Sequence, residues 1–468
     1  MKKSFKLLKA ACVLGLLTVL GVTNGYAQGL RTSYFMDNVP ARLKMNPALQ
    51  PARGYFNIPA IGALGLSISS NKLSIDDFVD IIENKNGFLE SDKFMNRLDS
   101  KNTMNIDFTT DILSFGFYSG KGFWTVNLGA RAIVSASIPK TMFEFARNAD
   151  KFDVGDKYDI KNMELHADVF SEIGLGYSRP ITEKLSVGGR FKVLVGVGNL
   201  DAKIDEIYVN ADTDYQNWKV RTKGKLETSM KGLKFEYDSE HGYINDIDID
   251  SPGISGFGFG IDLGASYKIL NNLTVSAAIL DLGFINWSKS NTTIAKTEGE
   301  HTYNDLMNDI DPDNYNPEDF ENMNPDEIQK YVTSNTDIFD LDLIQFQEGE
   351  AKSRKTTLRS TLNIGAEITL LNNKLGFGVL SSTQFTLPSS YSELTVSANY
   401  RPRNWFGATL SYSFLHSEFK TVGIGLKLGP IFIGSDYLMT KAPGDANRAN
   451  AYIGCSIPLG KKRLDYRR

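Results

Sequence analysis

GFGFGIDLGASYKIL, residues 256–270, decides the fold. Phe257, Phe259, Ile261, Leu263, Ala265, Tyr267 and Ile269 share one parity, and Gly258, Gly260, Asp262, Gly264, Ser266 and Lys268 share the other. Successive side chains of a strand point to opposite faces, so this is a strand with one apolar face and one small or polar face. Its opening glycines have the look of a nucleotide-binding loop. No helical pattern follows them, so they are strand glycines. The same alternation recurs elsewhere. Leu185, Val187, Phe191, Val193 and Val195 oppose Ser186, Gly188, Arg190 and Lys192. Leu358, Leu362, Ile364, Ile368 and Leu370 oppose Arg359, Thr361, Asn363, Glu367 and Thr369, and Val422, Ile424, Leu426 and Leu428 oppose Gly423, Gly425, Lys427 and Gly429. A soluble sandwich alternates too, so the connections must decide.

Six connections are short: 120–122, 180–184, 270–272, 371–374, 402–404 and the corner at 429–430. Seven longer ones lie between them, at roughly 71–103, 139–162, 212–255, 289–354, 386–392, 417–420 and 441–448. Short and long alternate strictly, which is the count for fourteen strands with both ends on one side. Short turns facing long outer loops are the asymmetry of an outer-membrane barrel. The predicted fold is therefore all-β: a transmembrane antiparallel β-barrel over 54–460, with large extracellular loops that contain short helices. In lipid every backbone group must pair within the protein, so the sheet must close. A Lys or Arg on the lipid face at mid-bilayer costs about 2–4 kcal/mol, and the apolar parities above carry none. Tyr177, Tyr267, Trp405 and Phe406 beside short turns, and Phe284 and Trp287 at the start of a long loop, are the candidate interface aromatics.

The ends of the chain agree with export. Lys2, Lys3, Lys6 and Lys9 precede an apolar run over 10–22, and Gly25-Tyr26-Ala27 offers small residues for cleavage. This is the pattern of a signal peptide over 1–27. Cys12 leaves with it, so Cys455 is the only cysteine of the mature chain and no intramolecular disulfide can form. No later stretch has the eighteen consecutive apolar residues of a membrane helix. The net charge is −4 and the basic residues are scattered, which argues against nucleic acid as a partner. The 41 Gly, 20 Tyr and 28 Phe with a mean hydropathy of −0.24 suit strands of which one face alone meets lipid. The last residues, 461–468, form a basic tail expected in the periplasm.

Residues 28–53 are too few to form a core of their own and must lie against something. The barrel interior is available, and a small plug is expected there. Asn46 can cap a helical turn begun by Pro47, continued by Ala48 and Leu49, and stopped by Pro51. In the loops, 76–82 and 140–148 read as short amphipathic helices. Asn316-Pro317 and Asn324-Pro325 read as caps followed by proline at the first helical position. Residues 300–350 hold fifteen Asp/Glu and one Lys. They lack the spacing of a calcium loop, so they read as a solvated acidic surface and no metal site is assigned. Residues 218–250 have strand character outside the fourteen; they either extend strands above the membrane or fold into the barrel mouth.

Asn46-Pro47-Ala48 ahead of the first strand is similar to the hatch of the long-chain fatty-acid transporter family of Gram-negative outer membranes. The closer resemblance is to an uncharacterised outer-membrane family known only as a domain of unknown function. It runs through GLRTSYFMDNVPARLKMNPALQPARGYFNIP, YSRPITEKLSVGGRFKVLVG, DLGFINW and GLKLGPIFIGSDYL. Leu49 stands where the transporters usually have Gly, their Ala-rich hatch sequence is missing, and the chain does not end on the aromatic residue common among barrels. What the first resemblance implies is a plug and a hydrophobic cargo.

The lumen-facing parity offers Arg131, Glu172, Arg190, Lys192, Asp262, Lys268, Arg359, Glu367, Lys427 and Asp436. A wide ion pore would favour one sign at its constriction. Mixed signs suit a network that cross-braces the wall and holds a plug, each charge needing a partner. Of the four histidines, only His416-Ser417-Glu418 clusters catalytic residue types, and neighbours on a strand face opposite ways. No catalytic residues and no cofactor are assigned, and the chain is not expected to be an enzyme. The expected partners are outer-membrane lipid and a hydrophobic or amphipathic small molecule taken up passively. The alternative is an anchor or assembly protein whose extracellular loops bind a protein partner.

Overall fold

Strand pairing closes on itself. The computed structural model describes residues 31–37, 39–59, 63–83, 89, 91–148, 156–210, 218–237, 243–303, 344–385, 390–415, 420–438 and 446–460. β1 (Gly54–Asn57) and β2 (Leu64–Ser70) form one broken wall strand. The wall continues through β3 (Lys101–Ser119), β4 (Gly122–Pro139), β5 (Lys157–Pro180) and β6 (Leu185–Asn210). Outside the ring come β7 (Trp218–Met230) and the hairpin of β8 (Leu233–Tyr237) with β9 (Ile244–Ile249). β10 (Gly256–Leu270) and β11 (Leu273–Trp287) rejoin the wall, and β12 (Thr292–Tyr303) and β13 (Gln347–Glu348) leave it again. β14 (Arg354–Thr357) and β15 (Ser360–Leu370) share one wall position. β16 (Leu375–Phe385), β17 (Tyr391–Arg403), β18 (Phe406–Leu415), β19 (Lys420–Leu428), β20 (Ile431–Leu438) and β21 (Arg448–Leu459) complete it.

β1 and β2 pair with β21 on one side and β3 on the other, and β6 pairs with β10. The result is a fourteen-stranded antiparallel barrel with no unpaired rim, as lipid requires. The short and long connections fall where the alternation predicts them. Large apolar side chains face outward all round, Phe117, Leu175, Phe259, Leu410 and Ile433 among them.

The wall is uneven in height. β3 to β6 run 19, 18, 24 and 26 residues, whereas β15 to β20 run 8 to 13. β7 pairs with the upper part of β6, from Gly198 to Asn210, and β12 pairs with β7. Of the two readings of 218–250, strand extension therefore holds for β7. On these tall strands and on β7 and β12, Val134, Ala167, Leu200, Leu226 and Ala295 form a buried core with Met142, Phe145, Ile244 and Phe346. The long connections carry α1 (Ile75–Glu83), α2 (Asp92–Arg97) and α3 (Lys140–Asn148). Ser91 starts α2 by accepting a hydrogen bond from the Phe94 N–H. The signal peptide, the caps at 316 and 324, the cluster at 416–418 and the basic tail lie outside the described residues.

Candidate functional site

The lumen of a fourteen-stranded ring must be filled or wet. Here residues 31–37 and 39–53 lie inside it, bonded to strands around the ring. Two single 3-10 turns, Arg31–Ser33 and Pro40–Lys44, make the segment compact, and Tyr34, Phe35, Met36, Val39 and Leu43 are buried. Asn46 caps a single turn rather than a longer helix. Its Oδ1 accepts from the Ala48 N–H at 2.9 Å, and its carbonyl accepts from the Leu49 N–H at 3.1 Å, closing one tight turn. Its Nδ2 donates to the carbonyls of Ala265 and Ala277, both at 3.3 Å, which ties the turn to β10 and β11. Two wall glycines make room. A Cβ on Gly188 would stand 2.4 Å from the Pro47 oxygen, and one on Gly264 would stand 2.2 Å from Asn46 Oδ1.

The wall's charges divide into two groups. On β4, β5, β6, β10 and β11 they pair with one another. Arg131 meets Glu172 at 3.0 Å and Asp281 at 2.8 Å. Lys192 meets Asp281 at 2.5 Å and Asp262 at 2.7 Å, and Arg190 meets Asp262 at 2.7 Å. Three cations face three anions, and Lys192 and Asp262 are fully buried. On β15, β17 and β20 the charges reach inward to the N-terminal segment instead. Arg31 pairs with Glu393 at 2.5 Å, lies over the Tyr437 ring at 5.1 Å, and donates its backbone N–H to Asp436 at 3.1 Å. Arg401 bridges Glu367 at 2.7 Å and Asp37 at 3.4 Å, and Asp37 also holds Arg42 at 2.5 Å. Lys44 meets Asp111 on β3 at 2.6 Å.

Not every lumenal candidate joins these groups. Arg359 stands apart, 3.4 Å from Asp107 and 2.8 Å from Ser135. Lys427 donates to the Gly429 carbonyl at 2.8 Å, at a short turn. Lys268 is half-buried beside the 181–184 turn, where its backbone N–H meets the Lys184 carbonyl. Six residues of strand, about 20 Å, separate it from Asp262.

Two outward assignments need correction. Trp287 is not an interface aromatic. It is 1% exposed, packs inside with Ile133, Phe170, Leu194 and Ile285, and donates Nε1–H to Thr356 Oγ1 at 2.8 Å. Phe284 and Trp287 lie three apart, so one strand cannot aim both outward. Leu358 packs against that same inner cluster rather than facing lipid. The cause is local. Asp281 adopts φ 57° where β11 slips against β10, so Ser276, Ala278 and Leu280 face inward before the slip and Ile285 and Trp287 after it. The chain opposite breaks between β14 and β15 and shifts parity with it. Tyr177, Tyr267 and Trp405 are exposed on the outer face, Tyr177 against Trp124 at 4.6 Å and Trp405 against Phe406 at 5.9 Å.

The structure adds residues that alternation alone did not single out. Asp281, Glu393, Arg401, Asp111, Arg31, Asp37, Arg42 and Lys44 complete the ion pairs. Asp281 was hidden by the slip, and Arg31 and Arg42 by lying outside any strand. Higher up, His166 Nδ1 meets Asp201 at 2.6 Å, and Arg354 hydrogen-bonds both Asp201 and Asn199. Burial raises the Asp201 carboxyl, but the His166 and Arg354 contacts outweigh it and hold the group below its ordinary range. Among the described residues His166 Nε2 has no hydrogen-bond partner, so no serine or threonine is set against it as a nucleophile.

A closed ring with an apolar exterior and a filled, charge-matched interior defines a transmembrane β-barrel. The chain belongs to a family of unknown function (DUF5723), which matches residues 47–436. No curated protein matches it. Among solved structures it is similar to the Ralstonia pickettii toluene transporter TbuX, at 9% identity and a TM-score of 0.41 over 93% of this chain and 96% of that one. A Pseudomonas aeruginosa FadL homologue matches at 8% and 0.41, over 92% and 97%. The translocator domain of the autotransporter NalP from Neisseria meningitidis matches at 7% and 0.35, over 92% and 100%. Likeness at these values says nothing of cargo.

Proposed function

We propose that the protein is an outer-membrane barrel for passive uptake of hydrophobic or amphipathic small molecules, with residues 31–53 as its plug. The observation that carries the reading is the break in the wall at Asp281. There β11 slips against β10, and on its other side the ladder is interrupted between β14 and β15, with the register unchanged. Near the break, the Leu358 N–H to Gly283 carbonyl bond at 3.0 Å stands between the two ladders. Apolar groups stand on both faces of this stretch: Ile285, Trp287 and Leu358 inside, Phe259, Leu282 and Phe284 outside. Below the inner group lie the matched charges and the plug. An apolar cargo captured among the long connections then leaves sideways more cheaply than downward, because parting an already irregular ladder strands fewer backbone groups in lipid.

The test pins the wall below the break. Leu280 and Thr361 face each other across β11 and β15. In a Cys455→Ser background, oxidised Leu280→Cys/Thr361→Cys protein in liposomes should lose uptake of a hydrophobic fluorophore and regain it on reduction. Uptake equal to that of empty liposomes in the unpinned protein would end the proposal. The anchor reading draws support from one feature, the separate core above β5, β6 and β7. Partner capture unchanged on deletion of 304–343 would count against the acidic loop as its docking element.

A further inference from the structure

We infer that the outer surface of the wall carries a site for one anionic acyl lipid of the surrounding membrane. A groove of about 320 Å3 lies on the lipid side of β6, β10 and β11, lined by Phe191, Phe259, Ile261, Leu282 and Phe284. Phe191 and Phe259 stack with ring centres 5.7 Å apart, and Phe259 is half exposed, so the groove has firm aromatic sides and an open face. At its rim the Lys355 ammonium lies 3.8 Å above the Phe284 ring. Among the described residues Lys355 makes no ion pair.

The level of this lysine matters. Lys355 pairs with Asn286, and Asn286 pairs with Phe257, the first lipid-facing residue at the long-connection end of β10. The cation therefore sits where headgroups begin and the groove runs below it, where acyl chains lie. A lysine with its stem along an aromatic ring and no carboxylate partner is complementary to a phosphate. The occupant is a lipid rather than a cargo molecule, because the open face of the groove is turned to the bilayer. Acyl chain fills the groove and headgroup phosphate meets Nζ. The inference rests on the fold and not on the transport reading, since a barrel that carries nothing would hold the same lipid.

The full chain, delipidated in a non-ionic detergent, is titrated with phosphatidylglycerol and with diacylglycerol of the same chains and read by native mass spectrometry. One phosphatidylglycerol should be retained through activation that strips diacylglycerol. Lys355→Gln should weaken phosphatidylglycerol retention about fivefold and leave diacylglycerol unchanged, the size expected for one interfacial cation. Leu282→Trp, which fills the groove, should lower both. A heat-dependent shift in electrophoretic mobility shows that each variant is folded. Equal retention of the two lipids by the unaltered protein, or unchanged retention in Lys355→Gln, overturns the site. Fluorophore uptake is a separate readout, so loss of the transport reading leaves this result standing.

Discussion

The tall side of the barrel, β3 to β6, and the short side, β15 to β20, obey the same alternation and come to different ends. On the short side the apolar parity faces outward and stays exposed: Leu410 is 57% and Ile424 38% exposed, as expected of side chains that meet lipid. On the tall side the same face continues past the height of the ring and turns into a buried core, Ala167 keeping the outward parity of β5 and Leu200 of β6, at 0% exposure, reaching that face after a register slip at 197. Lipid is the solvent for one set and the protein's own loop elements are the solvent for the other. Polar residues divide in the same way. The charges of β4 to β6 with those of β10 and β11 neutralise one another, whereas Glu393, Arg401 and Asp436 of the short side, and Asp111 of β3, meet the N-terminal segment. Strand pattern alone thus says which residues avoid water, but not what covers them.

Each side of the barrel can be perturbed separately. Asp262→Ala should have the largest effect, because it leaves Arg190 and Lys192 partly unpaired in the interior; breaking a buried pair costs about 3–5 kcal/mol. Thermal unfolding in detergent should drop accordingly. Glu393→Ala should instead loosen residues 31–53, read as faster hydrogen exchange there with the wall unchanged. If both variants lower wall stability alike, the division of charges is wrong. Leu200→Ala removes a buried side chain and should cost about 2–5 kcal/mol. The loss should appear as protease sensitivity of the tall strands while the heat-dependent mobility shift of the barrel survives. Leu410→Arg reverses that outcome. It should cost about 2–4 kcal/mol and reduce the fraction inserted into liposomes, with no change in the tall region.

The smallest effect sharpens the comparison by pH. The Asp201 carboxyl is held below its ordinary range in the folded protein. Its contribution is therefore present above the unfolded-state value of about 3.9 and is lost as pH falls through the folded value. Near-ultraviolet circular dichroism of the tall region should weaken between about pH 4 and lower. Asp201→Asn should remove that step, and a step that persists in this variant would assign the transition to another group.

How far the sequence carried can be followed through β11. Before the slip, Ser276, Ala278 and Leu280 face inward in simple alternation. After it, the left-handed residue at Asp281 swaps the parity, so Phe284 faces outward and Trp287 goes in. Nothing in DLGFINW marks the slip, because an aspartate in left-handed backbone is common enough in loops. The acids that meet the N-terminal segment were half legible. Glu367 and Asp436 had the right parity, but their partners Arg401 and Arg31 are separated from them by 34 and 405 residues of chain.

Alternation and the sorting of connections by length determined a closed membrane ring of fourteen strands. Those are local, periodic properties, and lipid permits no other way to pair a spanning sheet. Which charges meet, where the wall slips, and whether an apolar strand face looks at lipid or at a second core depend on neighbours far along the chain. Only the tertiary structure decides these, because burial and ion pairing are set by what arrives opposite a side chain rather than by the residues beside it.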